Sequence, residues 1–504
     1  MLSKTFACAG LAIAGAGSAH AAAPVQVEPA AMSEALLDAV QDISAVPGLS
    51  AAVWRDGRVV WTGASGMRDV GKGLPVEHDT RFRLASVSKL FTVAAVARLA
   101  EEGRIDLDAP VRSVLPWLVN DWPAMTARQL AAHTSGLPHY QEIDAGRGAV
   151  RYGDGRSAVG VFGTRPLLSP PGERYSYSSW GYTLLGAMVE EVTGKPFNDY
   201  VARIVAPGLG VGADATDSGQ PGVSVAYEFA DGAPRPAGPH DYSYTWGGGG
   251  LMASAAAVAG FGGAMLENRI VTKATFDMMV APALLSSGEP AGTEEYQVGF
   301  GWRSARDHDG QPVVFHNGGT SGARSSLVLW RDEGVASTIL SNAAWTSSID
   351  STAQMLAAPF RNAPQGLVAA ACPTRAVRFD GVLSGEAVSG AARFELVDGS
   401  CRGTLELTGR LRAHFGRGVQ PAAGELRVIG LDRGGGLSRA GLVTPFGIYD
   451  LRATDREGFR SVWSSSQVLD FRLVPAEEAD TGPCRERDAP SCDYPSGRKS
   501  GTER

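Results

Sequence analysis

The chain has 504 residues, enough for roughly two to four domains. With 44% hydrophobic and 20% charged residues it can build packed cores, which excludes a disordered chain. A net charge of −7 with no Lys/Arg block gives no nucleic-acid surface.

In chain order, Lys4 supplies a positive start, Phe6 to Ala16 an apolar stretch and Ala19-His20-Ala21 a small-residue cleavage site. Together they read as a transport signal over residues 1–21, so the expected localisation is periplasmic or secreted. No later run approaches the roughly 18–20 apolar residues that a transmembrane helix needs.

Leu36, Leu37, Val40 and Ile43 set a helix over residues 33–46, stopped by Pro47-Gly48. Asp56-Gly57 between the runs 49–55 and 58–63 is a strong hairpin signal. Val87, Leu90, Phe91, Ala94, Ala95 and Leu99 predict a helix over 83–100, ending near Gly103. Further helices are expected over 182–192 and 254–266. Strands return at 298–303, 313–316, 325–331 and 335–341, and a helix over 348–360 follows. Strands from both ends with helices between them imply an α+β fold: an antiparallel sheet flanked by helices, with a helical subdomain inserted. From about Cys372 the texture changes to short runs at 378–383, 391–397, 404–408, 425–431, 448–454 and 468–474, which predict a small all-β barrel or sandwich. The expected organisation is a signal at 1–21, a main domain over 22–365, the β domain over 372–475 and a polar, flexible tail over 476–504.

Apart from Cys8 in the signal, the cysteines are Cys372, Cys401, Cys484 and Cys492. An even number in an exported chain suggests disulfides, and proximity favours Cys372–Cys401 and Cys484–Cys492. No Cys-x-x-Cys or His-Glu-x-x-His pattern occurs, so neither a metal site nor a cofactor is expected.

The chemistry concentrates in Ser86-Val87-Ser88-Lys89, at the start of the strongest helix. Positions i and i+3 lie on one helix face, so the Lys amine reaches the Ser hydroxyl. A Ser hydroxyl becomes a nucleophile when a neighbouring base takes its proton, and Lys is such a base once its pKa is lowered. Alone this tetrapeptide is common. Here it is followed by His133-Thr134-Ser135-Gly136-Leu137-Pro138, Pro171-Gly172-Glu173-Arg174-Tyr175-Ser176-Tyr177-Ser178-Ser179, Gly248-Gly249-Gly250-Leu251 and His316-Asn317-Gly318-Gly319.

This ordered set resembles the class C β-lactamase-related serine hydrolases, a group that also holds D,D-peptidases, D-aminopeptidases and esterases. The resemblance covers about residues 47–360 and implies a β-lactamase/transpeptidase-like fold. It implies that Ser86 is acylated, that Lys89 is its proton partner, and that Tyr177 shares the general-base work and protonates the leaving group. His316 would stand in the third motif. The Ser86 and Gly319 N–H groups would form the oxyanion hole, and Gly318 would allow close approach of backbone and substrate. Ser179, Asn317, Gly318, Tyr140, Trp246 and Arg324 are the substrate-binding candidates, and His133 is read as structural.

Two departures from the family pattern matter. The usual Tyr-x-Asn is Tyr177-Ser178-Ser179, which replaces an amide with one hydroxyl. The Lys-Thr-Gly of β-lactamases is His316-Asn317-Gly318, so a carboxylate-bearing substrate such as a penicillin loses a fixed cation. The resulting expectation is an exported serine hydrolase working through an acyl-enzyme on a D-residue peptide or amide, or on an ester. Its partners would be small molecules or short peptides. A β-lactamase is the alternative enzyme, and a non-catalytic binding or sensor protein on the same fold is the alternative of a different class. No Gly-x-Ser-x-Gly elbow supports an α/β-hydrolase.

Overall fold

The computed structural model describes residues 26–476 apart from 119–120, 215–219, 416–423, 456–457 and 465–466. The residues expected to form the transport signal and the polar tail, with Cys484 and Cys492, lie outside the described residues, apart from Ala476.

The first helix, α1 (Pro29–Ser44), buries Leu36, Leu37, Val40 and Ile43 as the spacing required. It leads into β1 (Gly48–Arg55) and β2 (Arg58–Asp69), joined at the Asp56-Gly57 turn. Strand β1 pairs antiparallel with a strand almost 300 residues later, β8 (Val335–Ser341), placing Leu49 against Ser341. The chain therefore closes one sheet from both ends. With β3 (Leu74–Pro75), β4 (Gln297–Val298), β5 (Arg303–Arg306), β6 (Pro312–Thr320) and β7 (Ala323–Trp330), the order is β3-β2-β1-β8-β7-β6-β5-β4.

Strand periodicity sorts the sheet into two faces. Ala52, Leu327 and Leu329 join one core with α2 (Ser88–Glu101), α3 (Trp180–Thr193) and α4 (Ala255–Leu266). Their alternate neighbours Leu49, Ala51, Val53, Val328 and Trp330 join a second core with α1 and α5 (Ile349–Ala357).

The expected strand 298–303 is divided. Gly301 takes φ +86°, a left-handed conformation, and the Phe300 N–H turns to the Met279 carbonyl, so β4 ends before β5 begins. The predicted helix 83–100 is also shortened at its start. Phe82 and Arg83 pair as a strand with Ala253 and Met252, which claims their backbone groups before the helix begins.

The C-terminal unit is a closed eight-stranded barrel rather than a sandwich. It runs β9 (Val377–Leu383), β10 (Glu386–Val397), β11 (Ser400–Glu406), β12 (Glu425–Gly430), β13 (Arg439–Thr444), β14 (Gly447–Thr454), β15 (Gly458–Ser464) and β16 (Gln467–Pro475). Each strand pairs with the next, and β9 pairs with β16 to close the ring. The sequence runs had missed β13 and β15, short strands that hold a Gly each. Cys372 and Cys401 are joined, with Cα atoms 5.6 Å apart.

The barrel docks on the α1/α5 face. Ile429, Val443 and Ile448 complete the second core. Asp309, in the turn between β5 and β6, pairs with Arg439 at 3.3 Å and with Arg452, both already paired with Asp450. Breaking a buried ion pair on one side leaves uncompensated charge. Asp309→Asn is therefore expected to lower the unfolding free energy by about 3 kcal/mol in a denaturant titration. An unchanged midpoint would show that this contact contributes nothing to stability. Among the described residues no helix is long and apolar enough to cross a membrane.

Candidate active site

Ser86 sits where a strand turns into a helix. Phe82–Arg83 ends, Ala85 takes φ +45°, and a short 3-10 turn over Ala85–Val87 runs into α2. A non-glycine residue in that region costs about 1–3 kcal/mol, and this strain lies one residue before the hydroxyl. Lys89 follows one turn later, completely buried.

Three groups converge. Lys89 Nζ donates to Ser86 Oγ at 3.0 Å, to Ser179 Oγ at 2.9 Å and to the Gly248 carbonyl at 2.6 Å. Tyr177 Oη donates to the same Ser86 Oγ at 2.7 Å, and Lys89 Nζ lies 4.9 Å from the Tyr177 ring centre. All three acceptors of the ammonium are neutral oxygens. Burial pushes the Lys89 pKa down, and Arg303 adds to this, while Tyr177 works against it. Burial alone would raise the Tyr177 phenol, but the charges of Lys89 and Arg303 and hydrogen bonding with Lys89 and Ser86 outweigh it and hold the phenol below its usual value. An amine and a phenol whose pKa values are both lowered thus touch the same hydroxyl, and their titrations belong to the pair.

The supports are specific. His133, at φ +59°, lays its ring 4.3 Å from that of Tyr177 and accepts from the Ser178 N–H at 3.1 Å. This is the structural place expected of it. Ser179, in the place of the usual Asn, meets Lys89 through its hydroxyl, and its own N–H goes to His139 Nδ1 at 3.3 Å. Gly318 has no room for a side chain, since a Cβ there would come within 2.8 Å of Ser86 N. Strand β6 therefore passes directly beside the Ser86 backbone, bringing Gly319 to the same wall.

His316 is buried with its ring 6.3 Å from that of Tyr177, and among the described residues its Nε2 has no hydrogen-bond partner. Burial, Arg303 and Lys89 all hold its pKa well below the usual value, so it is a neutral ring. Asn317 departs from its expected place. In the β6/β7 pair His316 faces Leu327 and Asn317 faces Ser326, so the two side chains lie on opposite faces of the sheet. The Asn317 amide is spent there, accepting from Arg303 at 2.8 Å and donating to the half-buried Asp350 on α5. Trp246 is also displaced from the expectation. It is half-buried against the helical core and is not among the residues lining the cleft.

A cleft of about 300 Å³ opens over Ser86. Of the expected residues, Ser179, Tyr140 and Gly319 line it; Arg324 lies against Gly319, so close that any Cβ there would meet its guanidinium. The sequence reading missed His139, Arg147, His240, Tyr242 and Tyr244, which complete the walls. They come from loops without periodicity, and only the His139-Tyr140 and Tyr242-Ser243-Tyr244 aromatic clusters could have drawn notice. Arg303 was also missed; it lies 5.7 Å from the Tyr177 ring centre. A larger hollow, of about 760 Å³, lies between α1 and the barrel wall, but it holds no nucleophile–base pair. Among the described residues no group of three or more His, Cys, Asp or Glu is placed to hold a metal ion.

With this geometry in view, the comparison with known proteins is decisive. A family model described as Beta-lactamase matches residues 34–358. The chain belongs to the beta-lactamase family. It is 30% identical over 335 residues to penicillin-binding protein 4 of Amycolatopsis lactamdurans, a match covering 60% of this chain and 83% of that protein. Esterase EstB of Burkholderia gladioli is 36% identical over 225 residues, covering 41% of this chain and 57% of the esterase. A solved D-stereospecific amidohydrolase from Streptomyces sp. aligns with a TM-score of 0.53 at 29% identity, over 63% of this chain and 95% of its own. The sheet and helical layers have the fold of this family, and the barrel is appended to it.

Proposed function

We propose that this beta-lactamase family member is an exported serine hydrolase of the peptidase and esterase branch, acting through an acyl-enzyme on an ester or on a D-residue amide or peptide. The observation that carries the reading is the meeting of Lys89 Nζ and Tyr177 Oη on Ser86 Oγ. Ser86 Oγ attacks the substrate carbonyl carbon, and its proton passes to the Lys89–Tyr177 pair. The oxyanion is held by the Ser86 and Gly319 N–H groups. The carbon–leaving-group bond then breaks, and Tyr177 returns the proton to the departing alcohol or amine. Water repeats the sequence in reverse to free the acid and restore Ser86.

The neutral His316 supports the choice of branch, because a β-lactam carboxylate finds no fixed cation at that position. Export is supported by the Cys372–Cys401 disulfide and the N-terminal signal pattern. A turnover panel tests the reading: short-chain p-nitrophenyl esters, D-aminoacyl amides, D-Ala-D-Ala peptides and nitrocefin. Ester or D-amide turnover that vanishes in Ser86→Ala is expected. Nitrocefin as the best substrate would overturn the branch, and turnover equal in both proteins would overturn the site.

Arg303 supplies a pH prediction. Its charge lowers the pKa of both Lys89 and Tyr177, and the active form of the pair has given up one proton. Activity therefore rises with pH through the apparent pKa of the pair. Arg303→Met is expected to move that acid limb upward by roughly one pH unit. A kcat/KM profile that keeps its midpoint would remove Arg303 from the proton chemistry.

A further inference from the structure

Arg147 is the one arginine or lysine among the residues lining the cleft, and no Asp or Glu stands among them. Arg147 reaches in from the short turn Arg147–Ala149, its guanidinium carbon 4.4 Å from the Tyr140 ring centre and 5.2 Å from that of Tyr244. Its Nη1 donates to the Asp144 carbonyl at 2.9 Å, the Tyr244 hydroxyl is a further hydrogen-bond partner, and among the described residues its buried Nε has no partner. No carboxylate neutralises it among the described residues. Asp144 is engaged by Arg165 and Asp241 by Arg151. Its positive charge is felt within the cleft, where it helps hold His139 down to about 4 after the larger effect of burial and that of Lys89, so His139 is neutral at pH 7. On the strand side, Arg324 is also without a carboxylate partner, and burial alone depresses its pKa.

A guanidinium flanked by aromatic rings, lining a cleft in which no acidic residue stands, is a receptor for a carboxylate. We propose that Arg147 is the specificity residue of the site and that the acyl portion of the substrate bears a carboxylate. This rests on the acyl-enzyme reading above and narrows it. A substrate whose acyl group carries a free ammonium, as an aminopeptidase substrate does, meets repulsion here and no counter-charge. The cation that β-lactamases place on the strand at position 316 is missing, and this second cation stands on the helical wall instead.

The test uses p-nitrophenyl monoesters of succinic, glutaric and adipic acids, each beside the twin whose distal carboxylate is capped as a methyl ester. For at least one chain length the wild-type protein is expected to favour the anion over its neutral twin by about tenfold in kcat/KM, the worth of one charge-assisted hydrogen bond. That ratio is expected to fall to about one in Arg147→Met, to persist in part in Arg147→Lys, and to survive in Arg324→Met. Labelling of Arg147→Met by a serine-directed phosphonate, read by intact mass, reports that its site is folded. Neutral twins preferred at all three lengths, or a preference that follows Arg324 instead, overturns the proposal while leaving the hydrolase reading intact. No acylation of Ser86 by any ester or by the phosphonate overturns both.

Discussion

Ser86→Ala is expected to lower kcat by a factor on the order of 10⁴ or more, with no labelling by a serine-directed phosphonate. The reason is geometric. An amine and a phenol, the proposed proton carriers, converge on one oxygen, Lys89 Nζ at 3.0 Å and Tyr177 Oη at 2.7 Å, and the substitution removes that oxygen while leaving both groups in place. Residual turnover would come only from binding and from the backbone N–H groups, which survive the change. The measurement is single-turnover kinetics on the best ester of the panel, with intact mass to detect the adduct. Equal labelling of wild type and variant would place the nucleophile elsewhere and dismantle the site.

Lys89→Met is expected to cost on the order of 10³-fold in kcat with a smaller change in KM, because it removes the partner that lets Ser86 shed its proton. Lys89→Arg is expected to fail as badly. A guanidinium stays protonated at all accessible pH values, and its planar fork does not match the three acceptors Ser86 Oγ, Ser179 Oγ and Gly248 O grouped around Nζ. The wild-type acid limb of the pH profile should therefore be absent from the remaining activity of both variants. Circular-dichroism melts separate this from unfolding: a cooperative transition with low kcat supports the proton-transfer role. If Lys89→Arg retained more than a tenth of wild-type kcat, Lys89 would be an electrostatic anchor and not a base.

The barrel bears on these residues from behind. Strand β14 bonds to α5 through Ser351 and Thr352, and α5 carries the Asp350 that fixes Asn317, next to His316 and Gly318. Asp309, at the turn leading into β6, ties the same strand to Arg439 and Arg452 of the barrel. Burial raises the Asp350 carboxyl, while Ser326, Asn317 and Arg303 counter the shift. The site strand is thus braced at its turn and at its middle by contacts that never enter the cleft.

Taken by itself, the amino-acid order determined whatever depends on short spacing. Ser86 and Lys89 had to share a helix face because they are three residues apart, and Leu36, Leu37, Val40 and Ile43 had to form one apolar stripe. Asp56-Gly57 had to turn a hairpin, and Cys372 stood near enough to Cys401 in sequence for a disulfide. The succession of motifs then identified the family on which Tyr177 and Gly319 were placed. Only the tertiary structure decided where strands divide, which face Asn317 takes and that eight short strands close into a barrel, since these depend on partners far away in the chain. It alone brought Arg303, Arg147, His139 and His240 to the site. Loop residues have no period to read, and the electrostatic field of a cleft is a sum over segments that meet only after folding.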